Sequence, residues 1–172
     1  MIHYPVQVVN HWQISTLENA LLNSRPPISS WALLETECKN HCPNLIFSEN
    51  CFQPLSGHPF GSSPAERIFV LLATLERLKG CFDDHGRRTS EGNRIMIDHF
   101  HGEKSWFSDS SDSEKRKFKQ DLTFPHPERA QENLFCTWHG KVKTPQYRVH
   151  FSWSFGTDPV YVTYVGPKIT KT

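Results

Sequence analysis

Apolar and polar residues alternate with a period of two along the last forty positions of the chain. The alternation runs through Leu134 to Lys143, Tyr147 to Phe155 and Val160 to Ile169, and such a period marks strands with one face buried. Strands drawn this way put Leu134, Cys136, Trp138 and Val142 on one face, together with Tyr147, Val149, Phe151, Trp153 and Phe155. The other face carries Thr137, His139, Lys141, Arg148, His150, Ser152, Tyr161 and Thr163, a polar and largely basic set. Lys143 to Gln146 is short enough for a hairpin connection that lays the first two strands side by side.

Upstream the spacing turns helical. Ser15 with Glu18 predicts a short helix through Leu21 and Leu22, stopped by Arg25, Pro26 and Pro27. Ser29 or Ser30 opens a second, Trp31 to about Lys39, which ends before Pro43. In Ser63-Pro64-Ala65-Glu66 the serine reads as a cap, the proline as the first helical residue and the glutamate as the return arm of a capping box. Ile68, Phe69, Leu71, Leu72, Leu75 and Leu78 then form one stripe, closed by Gly80, which predicts a core helix. Asn44 to Phe52 reads as a strand, Arg94 to Phe100 as a short apolar segment that fits helix or strand, with helix preferred, and Ser111 with Glu114 as a capping box opening a charged helix to about Leu122.

Taken in order, these elements predict an α+β domain over residues 44–172, with helices packed on one face of an antiparallel sheet that ends in a three-stranded meander. Residues 1–43 read as an N-terminal helical extension. The second sheet face is then left for solvent or a ligand.

A formal charge of +1 excludes a strongly basic protein, so nucleic-acid binding would come from a local patch and not from the overall field. The N-terminal segment lacks the pattern of a leader, and no stretch approaches the ~18 apolar residues of a membrane span. A cytoplasmic location without membrane contact is the expectation. Five irregularly spaced cysteines, Cys38, Cys42, Cys51, Cys81 and Cys136, argue against a secreted disulfide framework.

The element order and the wording of the final strands, Tyr147-Arg148-Val149-His150-Phe151 followed by Val162-Thr163-Tyr164-Val165-Gly166, resemble the RelE/ParE superfamily of toxin-antitoxin toxins over about Asn44 to Thr172. The resemblance implies a small fold that holds RNA, in the ribosome, against its sheet and C-terminal end. Cleavage there proceeds by in-line attack of a 2′-hydroxyl on the adjacent phosphate, without metal or other cofactor. It further implies that Arg148 stabilises charge on the phosphorane, that Lys168 holds phosphate, and that a cognate antitoxin or a defence-system protein is the partner. The family's C-terminal Tyr or His acid/base has no counterpart in Pro167 to Thr172.

RNA cleavage of this kind needs a proton acceptor, a proton donor and positive charge on the non-bridging oxygens. His139 and His150 are the acid/base candidates, with Arg148 completing the catalytic set and Lys141, Lys143, Lys168 and Tyr161 as RNA contacts. The same alternation also describes an ordinary solvated sheet face. Rival readings are a non-catalytic interaction subunit of a multi-gene antiphage defence complex and a metal-dependent nuclease built on Asp98, His99 and His101. Cys38, His41, Cys42 and Cys51 have the donor chemistry of a zinc site, or are buried thiols. Trp106-Phe107, beside the acidic loop Ser108 to Ser113, reads as a loop anchor or as a contact for a protein partner.

Overall fold

The computed structural model describes residues 27–153 and 156–170, with residues 10, 12, 13, 16, 17 and 20. Ser15, Glu18, Leu21 and Leu22, on which the first predicted helix rests, lie outside the described residues, as does Phe155.

Helix α1 (Trp31–His41) starts where Ser30 accepts the Leu33 amide on its hydroxyl, so the second of the two expected serines is the cap. A short strand β1 (Leu45–Phe47) and a single 3₁₀ turn (Gln53–Leu55) follow, which confines the expected strand over Asn44 to Phe52 to three residues. Helix α2 (Ser62–Lys79) is the longest element, and every residue of its predicted stripe is buried. Its start differs from the capping-box expectation: the cap is Gly61, no side chain bonds the first turn, and Pro64 sits third in the helix. A Cβ on Gly61 would lie 2.9 Å from Pro64 Cγ, so the proline ring occupies the space that a capping side chain needs.

Helix α3 (Ser90–Phe100), capped by the Thr89 hydroxyl, contains the predicted short helix. Strand β2 (Phe107–Asp109) leads to helix α4 (Asp112–Lys117), where the Ser111/Glu114 capping box is formed as expected and the helix ends well before Leu122. A small hairpin, β3 (Thr123–Pro125) with β4 (Asn133–Phe135), precedes β5 (Trp138–Val142), β6 (Tyr147–Phe151) and β7 (Val160–Pro167).

The fold is α+β. Its main sheet has the order β1-β7-β6-β5-β2, antiparallel except for β1, which runs parallel to β7, while β3 and β4 form a separate two-stranded sheet. Gly140, Val149 and Val165 stand in one register row, flanked by Val142 with Tyr147 and by Trp138 with Phe151. This face carries α2. A Cβ on Gly140 would approach Phe107 Cε1 at 3.1 Å and Leu71 Cδ1 at 3.2 Å, so the missing side chain is what lets the helix sit close to the strand.

Leu34, Cys38 and Cys42, from α1 and its end, belong to the same buried cluster as α2 and the sheet, so among the described residues one core runs across the expected boundary at residue 43. All five cysteines are free, and burial raises the Cys42 and Cys51 thiols to about 12. No helix among the described residues is long and apolar enough to cross a membrane.

Candidate functional site

Pairing across the meander puts Ser108, His139, His150 and Tyr164 in one row of the sheet face opposite α2, with Lys141 beside Arg148 in the next. The sequence places His139, Lys141, Arg148 and His150 on a common face correctly, but the β7 residue that faces His150 is Tyr164 and not the expected Thr163, which the register shift skips, and Ser108 joins them from β2 where a loop was expected. The expectation that the face is open is corrected by the structure: His139 is 9% and His150 2% exposed. Leu134 to Lys143 is not one strand. It breaks at Cys136 and Thr137, so that β4 leaves the main sheet and pairs with β3. This hairpin then lies over the polar face, with Phe124 6.0 Å from both the His150 and Tyr164 rings and Leu122 fully buried.

Beneath this cover the imidazoles satisfy each other's surroundings as neutral rings. His150 Nδ1 donates to the Cys136 carbonyl at 3.0 Å, and His139 Nδ1 to the Thr137 carbonyl at 3.2 Å. Those bonds fix the tautomers, leaving Nε2 as an acceptor on each ring, and the Ser108 hydroxyl lies 3.4 Å from that of His139. Burial lowers His139 to about 4, helped by Arg148 and Lys141, and lowers His150 to about 3, helped by His139 and Arg148. A general acid or base must reach its substrate proton. In this arrangement His150 lies beneath the hairpin and His139 keeps 9% of its surface exposed.

The other expected contacts separate into two groups. Arg148 turns its Nη1 onto the Val142 and Tyr147 carbonyls at 3.1 and 2.8 Å. Lys168 lies 3.5 Å from Glu114, whose carboxylate also accepts from the Thr170 hydroxyl. Tyr161 is buried, with its hydroxyl donating to Glu128 at 2.6 Å and His126 edge-on to its ring. Lys141 and Lys143, by contrast, meet at the rim of the sheet.

That rim carries a cleft of about 410 Å³ lined by Ser63, Pro64 and Arg67 of α2, by Lys104, Ser105 and Trp106 ahead of β2, and by Lys141 to Thr144 at the β5 end. Four cationic residues line one space. None of them is ion-paired with a carboxylate among the described residues. Lys141 donates to Ser105 Oγ at 3.1 Å, and burial together with Arg148 and Lys143 lowers its ammonium pKa. The Arg67 guanidinium lies 3.9 Å over the Trp106 ring, and His99 stacks on that ring at 3.8 Å. Two groups so close to one indole occupy its two faces, which holds the arginine in place at the cleft wall. Burial also lowers His99, so the imidazole in this stack is neutral and does not repel the guanidinium.

The sequence points to Lys141 and Lys143, and to Trp106 only as a loop anchor or protein contact; Arg67 and Lys104 are not singled out by it. Arg67 belongs to the polar side of the α2 stripe, where a cation is unremarkable. The signal that was available is the position of Arg67 one turn from the Ser63-Pro64 helix start, where free amides and a cation together favour an anion. Asp98 and His101 are exposed, with His99 turned to Trp106, and no group of three or more His, Cys, Asp or Glu side chains among the described residues is arranged to hold a metal. No family model matches the chain, and neither a curated protein nor a solved structure matches it.

Proposed function

We propose that this protein binds RNA by gripping phosphate in the cleft between the α2 start, Trp106 and the β5 end. One observation carries the reading: Arg67, Lys104, Lys141 and Lys143 converge on a single concavity with no carboxylate partner among the described residues. Unpaired cations in a cleft are held apart by mutual repulsion and gain most from a polyanion that releases its counterions on binding. The RNA partner is the one that the RelE/ParE resemblance implies. The contact surface moves from the histidine face to the rim, and Lys141 and Lys143 are the residues common to both.

Binding, and not cleavage, is what this arrangement supports. The cleft supplies positive charge, but no imidazole or carboxylate is among the described residues that line it. Phosphate contacts position a strand without reading its sequence, so little preference among bases is expected. Fluorescence anisotropy with a labelled single-stranded RNA tests the reading. Affinity should fall as salt rises, because phosphate binding releases counterions from the RNA. The double change Lys141→Glu with Lys143→Glu should weaken binding at least about tenfold while thermal unfolding stays in place. RNA binding that ignores both salt and this pair of changes overturns the proposal.

A further inference from the structure

We infer that the cleft takes the end of the RNA, a terminal phosphomonoester, and not the interior of a strand; this rests on the RNA reading above. The first argument is size. At about 410 Å³ the cleft falls within the range of a small-molecule site, about 300–1,000 Å³. Proteins that track a strand instead spread their cations along a groove of about 4–16 nucleotides. Here four cations share a space suited to one nucleotide.

The second argument is charge. A bridging phosphodiester carries a single negative charge, whereas a terminal monoester carries about −1.5 to −2 at neutral pH and offers three oxygens. A convergent set of unpaired cations matches the dianion and would be left in excess around a diester. Neutral donors add to the match. The start of α2 has no side-chain cap and Pro64 has no amide to offer, so the free backbone N–H and the hydroxyl of Ser63 are what this end of the cleft supplies.

The third argument concerns what is not on offer. Trp106 is the aromatic ring of the cleft, and its faces are taken by Arg67 and His99. A base therefore cannot stack there, and recognition falls to the phosphate. The stack also pre-organises the Arg67 fork, whose planar geometry suits two oxygens of one phosphoryl group.

The test compares three forms of one ten-nucleotide RNA, with 5′-phosphate, 3′-phosphate or hydroxyl at both ends, each labelled away from the phosphate and titrated with the whole chain. One phosphorylated form should bind about tenfold tighter than the hydroxyl form, the return on one or two additional charge-assisted hydrogen bonds. Arg67→Lys, which keeps the charge but loses the fork, should remove most of that preference, and so should Lys143→Glu at an exposed position. Excess of the corresponding mononucleotide should displace the phosphorylated RNA; failure to compete would place the grip outside the cleft and overturn the inference. Equal binding of all three forms, weakened together by Lys143→Glu, overturns end recognition and leaves the RNA reading standing. Absence of binding to every RNA overturns that reading itself, and binding of the mononucleotide alone assigns the cleft to free nucleotides and overturns the RNA end.

Discussion

His139 and His150 form a cross-strand pair whose rings lie 5.2 Å apart under a packed layer. A charged imidazole there would lose its hydration and meet Arg148, Lys141 and the second ring, with Glu114 as the countering charge, so both stay neutral at pH 7. Their folded pKa values lie below the ordinary 6.5, which means that the unfolded chain binds the protons first as pH falls. The stability they contribute is therefore complete above about pH 6.5 and is lost progressively toward pH 4. Chemical denaturation between pH 7.5 and 5 should show unfolding free energy falling toward low pH. The slope should approach about 2.7 kcal/mol per pH unit when both residues contribute. His139→Phe with His150→Phe should flatten it, and a pH-independent wild type would contradict the assignment. Glu114 works in the lower range: partial burial alone would raise its carboxyl, but the Ser111 amide and hydroxyl, the Thr170 hydroxyl and Lys168 hold it down to about 2.

At the scale of elements, periodicity was a reliable guide wherever a segment buries one face. The α2 stripe and the β5-β6 hairpin are legible in the sequence, and so is the Ser111/Glu114 box, because its chemistry is local, while the apolar run inside α3 fits helix or strand equally by its length. What was not legible depends on partners distant in sequence. Alternation continues through Leu134 and Cys136 into Trp138, yet the chain changes sheets between them, since β4 pairs with β3 and nothing local to β4 announces it. The parallel pairing of β1 with β7 is equally non-local. A trace of the β6-β7 register shift was present, in the spacing of three between Val162 and Val165, where Thr163 is the additional residue. The cleft escaped sequence reading for the same reason, as its cations come from three separate stretches. Ser111 bonds the Glu114 amide and fixes the start of α4, the element that also carries the acidic partner of Lys168. Ser111→Ala should cost about 1 kcal/mol of stability, read from the denaturation midpoint. Loss of less than a few tenths would mean that Glu114 holds the turn alone.

Over the whole molecule, a net charge of +1 hides an uneven distribution. Carboxylates accompany the cations along α1, at the α2 to α3 junction and around α4, while the rim cleft has none among the described residues. The two sheet faces are also unequal: α2 and the aliphatic rows make one continuous core, and the hairpin closes a smaller layer over His150, Tyr164 and Tyr161. Strand β7 borders both. It sits between β1 and β6 in the main sheet, although it follows every other described element along the chain. During synthesis, then, its two neighbours emerge from the ribosome with their inner edges unpaired and wait for the strand that joins them. Stalled nascent chains ending at Pro159 should be digested by protease at dilutions that spare chains carried past Pro167 and clear of the exit tunnel. Such a protein acquires its protection late and nearly all at once, and a chaperone has its opportunity in that interval.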